Sequence, residues 1–422
     1  MKDILLVTWH GIHELEMFPG LPDTGGQNIY VQNLAEVIHD VYQCRVIVLT
    51  RGGFQHPYTG RLREGYSKDP DREVYVLHVA DGVRSFIRNE YLTPALIEDA
   101  ALATVTQLPE DYQPDMIISH FWDGGIMGGY LHDRYPESVH IWVPHEPVGI
   151  KKALLSPSHY DRHSIYLREF CERRVMESSR FVGSTSGLVR RDLDSCYKSQ
   201  HNEKVIDIFP GVDTKRFHPA KVRRLSAEKA RLYSRLLGIA EGNFQSRHIC
   251  EFGRSDSLKK KGKAVEAFAR VSRPVKDVVL FINLDAKMEP EIAAEVHQIV
   301  EAYGIGDRVL VLSPSQLPQS GEGASILPDL VKTASAFLTM SEMEGFGMAA
   351  CEAAACAVPV VGTDQIPVLT DVIAPAGGGF VVPAGDLGRA ADAVTSILRM
   401  KSDAFGEICN RAYNAVIPDY TW

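Results

Sequence analysis

Short apolar runs alternate with longer segments of helical spacing along the whole chain. In the first half, runs of three to six apolar residues predict strands at residues 4–7, 45–50, 116–119, 141–143, 180–183 and 205–209. The second half repeats the pattern, with strands predicted at residues 248–252, 278–282, 309–312, 336–340, 359–362 and 380–382. Strands that alternate with helices are typical of parallel sheets in doubly wound α/β domains.

The helix predicted after the first strand has its apolar residues at helical spacing. One face is expected to carry Ile29, Leu34, Val37, Ile38 and Val41.

Because the strand–helix pattern runs twice, we predict two Rossmann-like doubly wound domains that face each other across a cleft. The turn PGVD and the charged helical stretch after it separate the halves, so the first domain is predicted at residues 1–214 and the second at 215–405. Residues 406–422 are predicted as a helical region that returns toward the first domain. In such sheets ligands bind at the carboxyl ends of the strands, which is where candidate site residues are sought.

Composition narrows the class of protein. The chain has 422 residues, 45 Lys plus Arg and 54 Asp plus Glu, for a formal net charge of −9. This balance disfavours binding to nucleic acid or to an anionic membrane. The seven cysteines are scattered without a Cys-x-x-Cys pair, and the apolar run at residues 4–7 is too short for a signal peptide. We therefore expect a cytoplasmic protein with reduced thiols.

A glycine pair stands between the first strand and the first helix, in PDTGGQNIYVQNLAEVI. The N-terminus of a helix presents unpaired N–H groups and a partial positive charge, and glycine lets an anion approach that backbone closely. Gly25 and Gly26 therefore favour a phosphate, or a ligand beside one, although a plain tight turn would show the same residues. The fingerprint G-x-G-x-x-G is absent, which disfavours a nicotinamide dehydrogenase.

A second glycine loop lies in SEMEGFGMAACEAAACAVPVVGT, where Gly345-Phe346-Gly347 comes directly before an alanine-rich helix. Glu344 lies in this loop and Glu352 about a turn and a half into the helix. Two carboxylates beside a phosphate site are explained if they accept hydrogen bonds from sugar and ribose hydroxyls. A helix cap and a solvated glutamate are the alternative interpretation.

Basic residues follow a strand end in CEFGRSDSLKKKGKAVEAFA. Arg254 can bind phosphate oxygens through two parallel hydrogen bonds, and Lys259 can act as a point charge. Lys259, Lys260, Lys261 and Lys263 could also form a solvated run, so the sequence leaves the identity of the phosphate-binding lysine open by a residue or two.

These motifs together resemble a known family. DTGGQNIYV, SHFWDGG, FPGVDTKRF, GRSDSLKK and EGFGMAACEAAACAVPVV are similar to segments of the retaining nucleotide-sugar glycosyltransferases of glycosyltransferase family 4, which have the GT-B architecture. The resemblance covers nearly the whole chain. FIRNEYL and VPHEPVGIKKALL look most like sucrose-phosphate synthase and mannosylfructose-phosphate synthase, and the inositol-phosphate glycosyltransferase of mycothiol synthesis is similar at the same places.

The resemblance implies roles for individual residues. The catalytic group would be His145, Arg254, Lys259 and Glu344, with Arg254 and Lys259 on the donor diphosphate and Glu344 on donor-sugar hydroxyls. Further donor contacts are implied for Gly25, Gly26, Gly345, Phe346, Gly347, Met348 and Glu352. Acceptor contacts are implied for Gln27, Arg88, His120, Asp123, Lys151, Lys152 and Arg168. Glu146 departs from the relatives, which usually have His-Ser-Leu-Gly here, and it adds a carboxylate beside the acceptor pocket.

The implied reaction moves a hexose, with retention of configuration, from a nucleotide sugar to a sugar phosphate such as fructose 6-phosphate. UDP-glucose is favoured as the donor and GDP-mannose remains open. No metal and no cofactor are expected, because no Asp-x-Asp motif stands in a convincing loop, and the stretch at residues 192–194 lies in an Arg-rich helical segment and is interpreted as surface. An inositol phosphate or an unphosphorylated sugar is the alternative acceptor. A sugar-nucleotide epimerase and a non-catalytic nucleotide-sugar sensor are the rival functions.

Overall fold

The computed structural model describes residues 2–15, 23–161, 164–196, 202–318 and 321–422. The chain divides into two compact units, one that ends at Phe209 and one that begins at Pro210. The boundary predicted near residue 215 lies just beyond this break.

The first unit is built on an eight-stranded sheet. Its strands are Asp3–Thr8 (β1), Arg45–Gly52 (β2), Gly65–Lys68 (β3), Val74–Ala80 (β4), Pro114–His120 (β5), Val139–Val143 (β6), Phe181–Ser184 (β7) and Val205–Asp207 (β8). Its helices are Gly26–Tyr42 (α1), Pro94–Gln107 (α2), Phe121–Arg134 (α3), Val148–Leu154 (α4), Ile165–Ser178 (α5) and Gly187–Cys196 (α6). The strand order is β3-β4-β2-β1-β5-β6-β7-β8, and all pairs are parallel except the edge pair β3–β4.

The second unit is built on a six-stranded parallel sheet. Its strands are Arg247–Glu251 (β9), Val278–Asn283 (β10), Val309–Leu312 (β11), Ala336–Thr339 (β12), Val360–Thr363 (β13) and Gly379–Val382 (β14). Its helices are Ala227–Leu237 (α7), Glu241–Gln245 (α8), Lys261–Val271 (α9), Pro290–Tyr303 (α10), Ile326–Thr333 (α11), Met348–Ala355 (α12), Leu387–Arg399 (α13) and Ser402–Val416 (α14). The order β11-β10-β9-β12-β13-β14 is the doubly wound order of a Rossmann fold.

Each of the twelve predicted strands is present, within one or two residues at its ends. The strands β3 and β4 were missed. They form the antiparallel edge of the first sheet, where Tyr66 and Lys68 of β3 are partly or fully exposed and the surrounding sequence is highly charged. An edge strand with one wet face, such as β3, shows too weak an apolar run to stand out from such a sequence. This reason does not apply to β4, which lies inside the sheet and is mostly buried, and whose apolar run was overlooked.

The helix α1 forms as predicted, but the apolar face indicated by the spacing is not its most buried face. The buried residues are Asn28, Tyr30, Val31, Gln32 and Ala35. Of the residues predicted to line the apolar face, Val41 is 62% exposed and the others are half-buried. The apolar spacing pointed to a different stripe because this helix turns two polar side chains, Asn28 and Gln32, inward.

The end of the chain lies in the second unit. The helix α14 packs against α12, and the N–H of Val212 donates to the carbonyl of Tyr420 at 2.9 Å. The return of residues 406–422 toward the first domain stays a prediction. Within the described part of the chain, no helix combines the length and the apolar composition needed to cross a membrane.

Candidate functional site

Each sheet has one point where the strand order reverses, and most candidate residues lie there. In the first sheet this point is between β1 and β5, whose ends align with Thr8 beside His120. In the second sheet it is between β9 and β12. Ligands of doubly wound sheets bind at the carboxyl ends of the strands at this switch point. Each unit therefore presents one candidate site of its own.

In the second unit, Lys259 and Glu344 form an ion pair. Lys259 Nζ lies 2.7 Å from Glu344 Oε2, and the other carboxylate oxygen accepts a hydrogen bond from Ser341 Oγ at 2.9 Å. Lys259 Nζ also donates to the carbonyl of Met343 at 3.3 Å. The Lys259 side chain is 8% exposed and that of Glu344 is 21% exposed. Two residues 85 positions apart in sequence are thus brought together as the motifs predicted.

The structure separates the four lysines that the sequence could not distinguish. Lys260 and Lys263 both contact Glu342, at 3.2 and 2.6 Å. Lys261 is buried against Glu251. Within the described residues, only Lys259 of the four reaches Glu344. Its assignment as the phosphate-binding lysine stays a prediction.

Arg254 lies on the loop after β9. Its Nη2 atom is 3.6 Å from Asp256 Oδ2, and its side chain is 32% exposed. Asp256 in turn accepts hydrogen bonds from the N–H groups of Leu258 and Lys259, at 2.9 and 3.2 Å, which shapes the loop that carries both cations. The guanidinium is accessible to an anionic ligand.

The helix α12 begins as the glycine loop predicted. Gly347 is its N-cap residue with φ +105°, and a Cβ atom there would lie 2.7 Å from Ile366 Cγ2. Both facts require glycine at this position. A small cavity at this helix end is lined in part by Gly253, Thr339 and Glu344.

Phe346 and Met348 pack in the hydrophobic core of the second unit. Phe346 is 7% exposed, and its ring centroid lies 5.8 Å from that of Tyr420. Its carbonyl accepts a hydrogen bond from Val368 N at 2.9 Å, while Met348 packs against the same core cluster. A donor contact through the Phe346 side chain is therefore not supported, and Gly345 remains a half-buried loop residue.

Glu352 is half-buried on α12, and burial raises the pKa of its carboxyl to about 7. The positive charge of Arg216 opposes this shift and the negative charge of Asp213 adds to it. Both belong to the PGVDTKR stretch, which the sequence indicated as a turn, a following charged segment and one of the motifs similar to the family. Burial disfavours the ionised form of this carboxyl, and hydroxyl groups of a ligand that donate hydrogen bonds to it would stabilise that form.

In the first unit, His120 and His145 are hydrogen-bonded to each other. His120 Nδ1 lies 3.0 Å from His145 Nε2, the rings are stacked with centroids 5.2 Å apart, and Tyr30 packs edge-on against both. His145 has φ +55°, a strained conformation for a residue with a side chain. Burial lowers the pKa of His145 to about 3 and also lowers that of His120, so both rings are neutral at pH 7. His145 can therefore act there as a neutral hydrogen-bonding group.

Two residues predicted to face the acceptor are completely buried. His120 is 0% exposed, and its Nδ1 atom is hydrogen-bonded to His145. Asp123, also 0% exposed, points from the first turn of α3 to His10, with Oδ1 and Oδ2 at 2.9 and 3.0 Å from Nδ1. Direct acceptor contacts by these two side chains are not supported. His10 was missed, although its position two residues after the first strand placed it at the switch point.

The glycine loop of the first unit is tied to the segment that carries Arg88. Gly25 N donates to Asn28 Oδ1 at 3.1 Å, and Gln27 Nε2 donates to Thr8 Oγ1 at 3.1 Å. The Asp23 carboxylate accepts from Asn89 N and Nδ2 at 3.0 and 3.2 Å. Asp23 thereby brings Arg88, which is half-buried, close to the start of α1 at Gly26.

Arg168 is 1% exposed and lies against the His145 loop. Its guanidinium is 4.7 Å from the centroid of Phe121, its Nη2 is 3.9 Å from Glu172 Oε1, and Nη2 donates to the carbonyl of Glu146 at 3.5 Å. Its Nε atom has no partner among the described residues. The Nε–H group of Arg168 can therefore still donate a hydrogen bond, at a position beside the loop that carries His145 and Glu146.

The two lysines of the same region differ. Lys151 Nζ is 3.9 Å from Glu146 Oε2 and the side chain is 12% exposed. Lys152 pairs with Glu169 at 2.7 Å and is 37% exposed. Lys152 is thus part of an exposed ion pair, and only Lys151 lies beside the His145 loop.

A metal site is not apparent in the described ranges, where no group of three or more His, Cys, Asp or Glu side chains could hold an ion. The Asp-x-Asp stretch lies on α6, with Asp192 half-buried and Asp194 exposed.

Comparison with known proteins agrees with this geometry. Residues 247–415, which lie in the second unit, match the family model described as "Glycosyl transferases group 1". Mannosylfructose-phosphate synthase of Agrobacterium fabrum is 26% identical over 377 residues, which cover 85% of this chain and 76% of the relative. D-inositol 3-phosphate glycosyltransferase of Pseudarthrobacter chlorophenolicus is 27% identical over 349 residues, covering 82% and 75%.

Solved structures show the same fold. Sucrose-phosphate synthase from Thermosynechococcus elongatus superposes with a TM-score of 0.80 at 20% identity, over 100% of this chain and 96% of that one. The Anabaena protein HepE in complex with UDP and glucose gives a TM-score of 0.68 at 16% identity, over 100% and 96%. The fold of two Rossmann-like units is that of GT-B glycosyltransferases, and the resemblance carried by the motifs is confirmed.

Proposed function

We propose that this chain, with its glycosyltransferase group 1 domain, is a retaining hexosyltransferase that moves a hexose from a nucleotide sugar to a phosphorylated sugar acceptor. The observation that carries the proposal is the Lys259–Glu344 pair at the start of α12, with Arg254 on the same loop as Lys259. This arrangement places cations that can bind phosphate next to a carboxylate that can accept hydrogen bonds from hydroxyl groups, at the switch point of the second sheet.

The second unit is proposed to hold the donor. Arg254 and Lys259 bind the diphosphate, Glu344 accepts hydrogen bonds from the sugar, and Glu352 accepts them from the ribose. As the glycosidic bond to the diphosphate breaks, negative charge grows on the leaving group, and preorganised cations lower the free energy of that state. We propose that these cations and the N-terminus of α12 make a divalent metal unnecessary.

The first unit is proposed to hold the acceptor. His145 offers a neutral imidazole, and Arg168, Arg88 and Lys151 offer cations for a phosphate group. Support comes from the relatives, two of which are named for sugar-phosphate or inositol-phosphate chemistry. The complexes of HepE with UDP-glucose favour that donor. A cytoplasmic location fits the free thiols of the six cysteines whose side chains are described.

The test is a product assay that crosses UDP-, ADP- and GDP-sugars with fructose 6-phosphate, inositol 3-phosphate and the unphosphorylated sugars. We expect one sugar-phosphate product whose anomeric configuration, read by NMR, equals that of the donor. Lys259→Ala should abolish turnover, whereas Lys260→Ala, on the neighbouring Glu342 pair, should leave it unchanged.

The rival functions predict other results. An epimerase would convert the nucleotide sugar without acceptor, and a sensor would bind it without turnover. An inverted product would refute the retaining reaction.

A further inference from the structure

A buried ion pair lies at the base of the loop that carries Arg254 and Lys259. Lys261 Nζ, in the first turn of α9, is 2.5 Å from Glu251 Oε2, at the end of β9. The two side chains are 0% and 1% exposed. Lys261 Nζ also donates to Asn283 Oδ1 at 3.1 Å. A buried ion pair, with one neutral hydrogen-bond partner, therefore lies inside the second unit.

Stability does not account for this pair. Removing two charges from water is costly, and a well-packed apolar pair of similar volume is often as stable or more stable. Burial raises the pKa of Glu251 and lowers that of Lys261, because the buried surroundings disfavour the charged form of each side chain. Charge at this place needs another reason.

The position of the pair supplies that reason. Glu251 precedes Arg254 by three residues and Lys261 follows Lys259 by two, so the pair joins the start of the loop to its end. A Cβ atom on Gly253 would lie 3.0 Å from Glu251 Oε1, which shows how closely the loop passes over the carboxylate.

The rest of the loop is held from two sides. Ser255 Oγ accepts from Asp285 N at 3.3 Å, and the carbonyl of Leu258 accepts from Glu342 N at 2.8 Å. With both ends joined by the ion pair, the whole loop is fixed relative to β9 and α9. The field of the pair also reaches the site, because Glu251 interacts with the charge of Glu344 and Lys261 with that of Lys259.

We propose that Glu251 and Lys261 are positioning residues, which hold Arg254 and Lys259 in the geometry that binds the donor diphosphate. The inference rests on the proposed function of this loop. It assigns a role to a charge pair that touches no substrate and that packing alone would not select.

The experiment compares three variants with the wild type. Glu251→Leu combined with Lys261→Met replaces the pair by apolar side chains, Glu251→Gln keeps the shape but removes one charge, and Lys261→Arg keeps both charges. Lys263→Ala, on the same helix but paired with Glu342, is the matched control. Calorimetry with UDP, ADP and GDP gives nucleotide affinity, thermal denaturation gives stability, and steady-state kinetics separates donor KM from acceptor KM.

We expect the double variant to melt at or above the wild-type temperature and yet to bind the nucleoside diphosphate at least tenfold more weakly. Its donor KM should rise while its acceptor KM stays unchanged. Lys261→Arg should recover most of the affinity, and Lys263→Ala should behave as wild type.

The contrary results are equally definite. If the double variant is stable and binds nucleotide as the wild type does, the pair is only structural and the inference is wrong. If the double variant does not fold, Glu251→Gln decides, because unchanged nucleotide affinity in it overturns the inference. If the wild type binds none of the three nucleotides, the proposed function falls first and the inference falls with it.

Discussion

Replacement of Glu352 by glutamine should make the protein more stable and its donor site weaker at the same time. Burial raises the pKa of Glu352 from 4.5 to about 7, so the folded state binds its proton more tightly than the unfolded state does. The stability associated with this group is therefore full below pH 4.5, declines between pH 4.5 and 7, and is lost above pH 7.

The size of the effect follows from the shift. A rise from 4.5 to about 7 corresponds to about 3 kcal/mol, and partial exposure of Glu352 brings the expected gain from Glu352→Gln at pH 8 to about 1–3 kcal/mol. At pH 5 the wild-type carboxyl is already protonated when folded, so the gain should shrink to under about 1 kcal/mol.

Nucleotide binding should change in the opposite direction. A hydrogen bond to a charged group is worth about 1 kcal/mol more than one to a neutral group, so the variant should bind the nucleotide roughly fivefold more weakly at pH 8. In the wild type the ionised fraction falls from about 90% at pH 8 to about 10% at pH 6, and the affinity should fall with it. The variant should show no such pH dependence.

The assay is urea denaturation at pH 5 and pH 8, with calorimetric nucleotide titration at pH 6, 7 and 8. Glu342→Gln is the control with the opposite sign. Burial alone would raise the pKa of Glu342, but hydrogen bonds from Lys263 and Lys260 lower it, so its removal should destabilise the protein at pH 8. Equal stability changes for Glu352→Gln at the two pH values, or none at pH 8, would refute the reasoning about a buried charge.

Three further outcomes are expected. Arg254→Ala and Glu344→Ala should each lower kcat/KM by two to three decades, since loss of one group that stabilises developing charge costs roughly 3–4 kcal/mol. Lys260→Ala should leave the kinetics unaffected, and near-normal kinetics in Arg254→Ala would contradict the proposed binding of the diphosphate by Arg254. Activity should persist after exhaustive chelation, and a loss restored by magnesium or manganese would mean that the leaving group is handled by a metal. Arg168→Ala should raise the acceptor KM by about one to two decades with donor KM unchanged, because a charged hydrogen bond to phosphate contributes roughly 1.5–3 kcal/mol; equal use of the unphosphorylated sugar would contradict the phosphate pocket.

Much of the fold was predictable because parallel strands buried on both faces show as continuous apolar runs. The edge strand β3 escaped this signal, since one of its faces is wet, whereas the buried strand β4 carries the signal and was overlooked. The stripe of α1 was misjudged because Asn28 and Gln32 are buried, which an apolar pattern cannot show.

The site was predictable where its residues lie within one motif, as with Gly347 before α12. Contacts between distant segments were not, and the pairing of His10 with Asp123 spans 113 positions. Nor could sequence separate a surface cation from a buried one. Lys259, Lys260 and Lys261 are consecutive, and yet they have three different partners.

The Lys259–Glu344 pair has a consequence for ligand selection. Because the cation already has a partner 2.7 Å away, a bare anion that draws Lys259 off leaves the partly buried Glu344 carboxylate without its counterion. A ligand that supplies phosphate to the lysine and hydroxyls to the glutamate satisfies both at once. With the donor role proposed for this pair, each half of a nucleotide sugar would be recognised fully only when the other half is present. Inorganic phosphate would meet one condition and not the other.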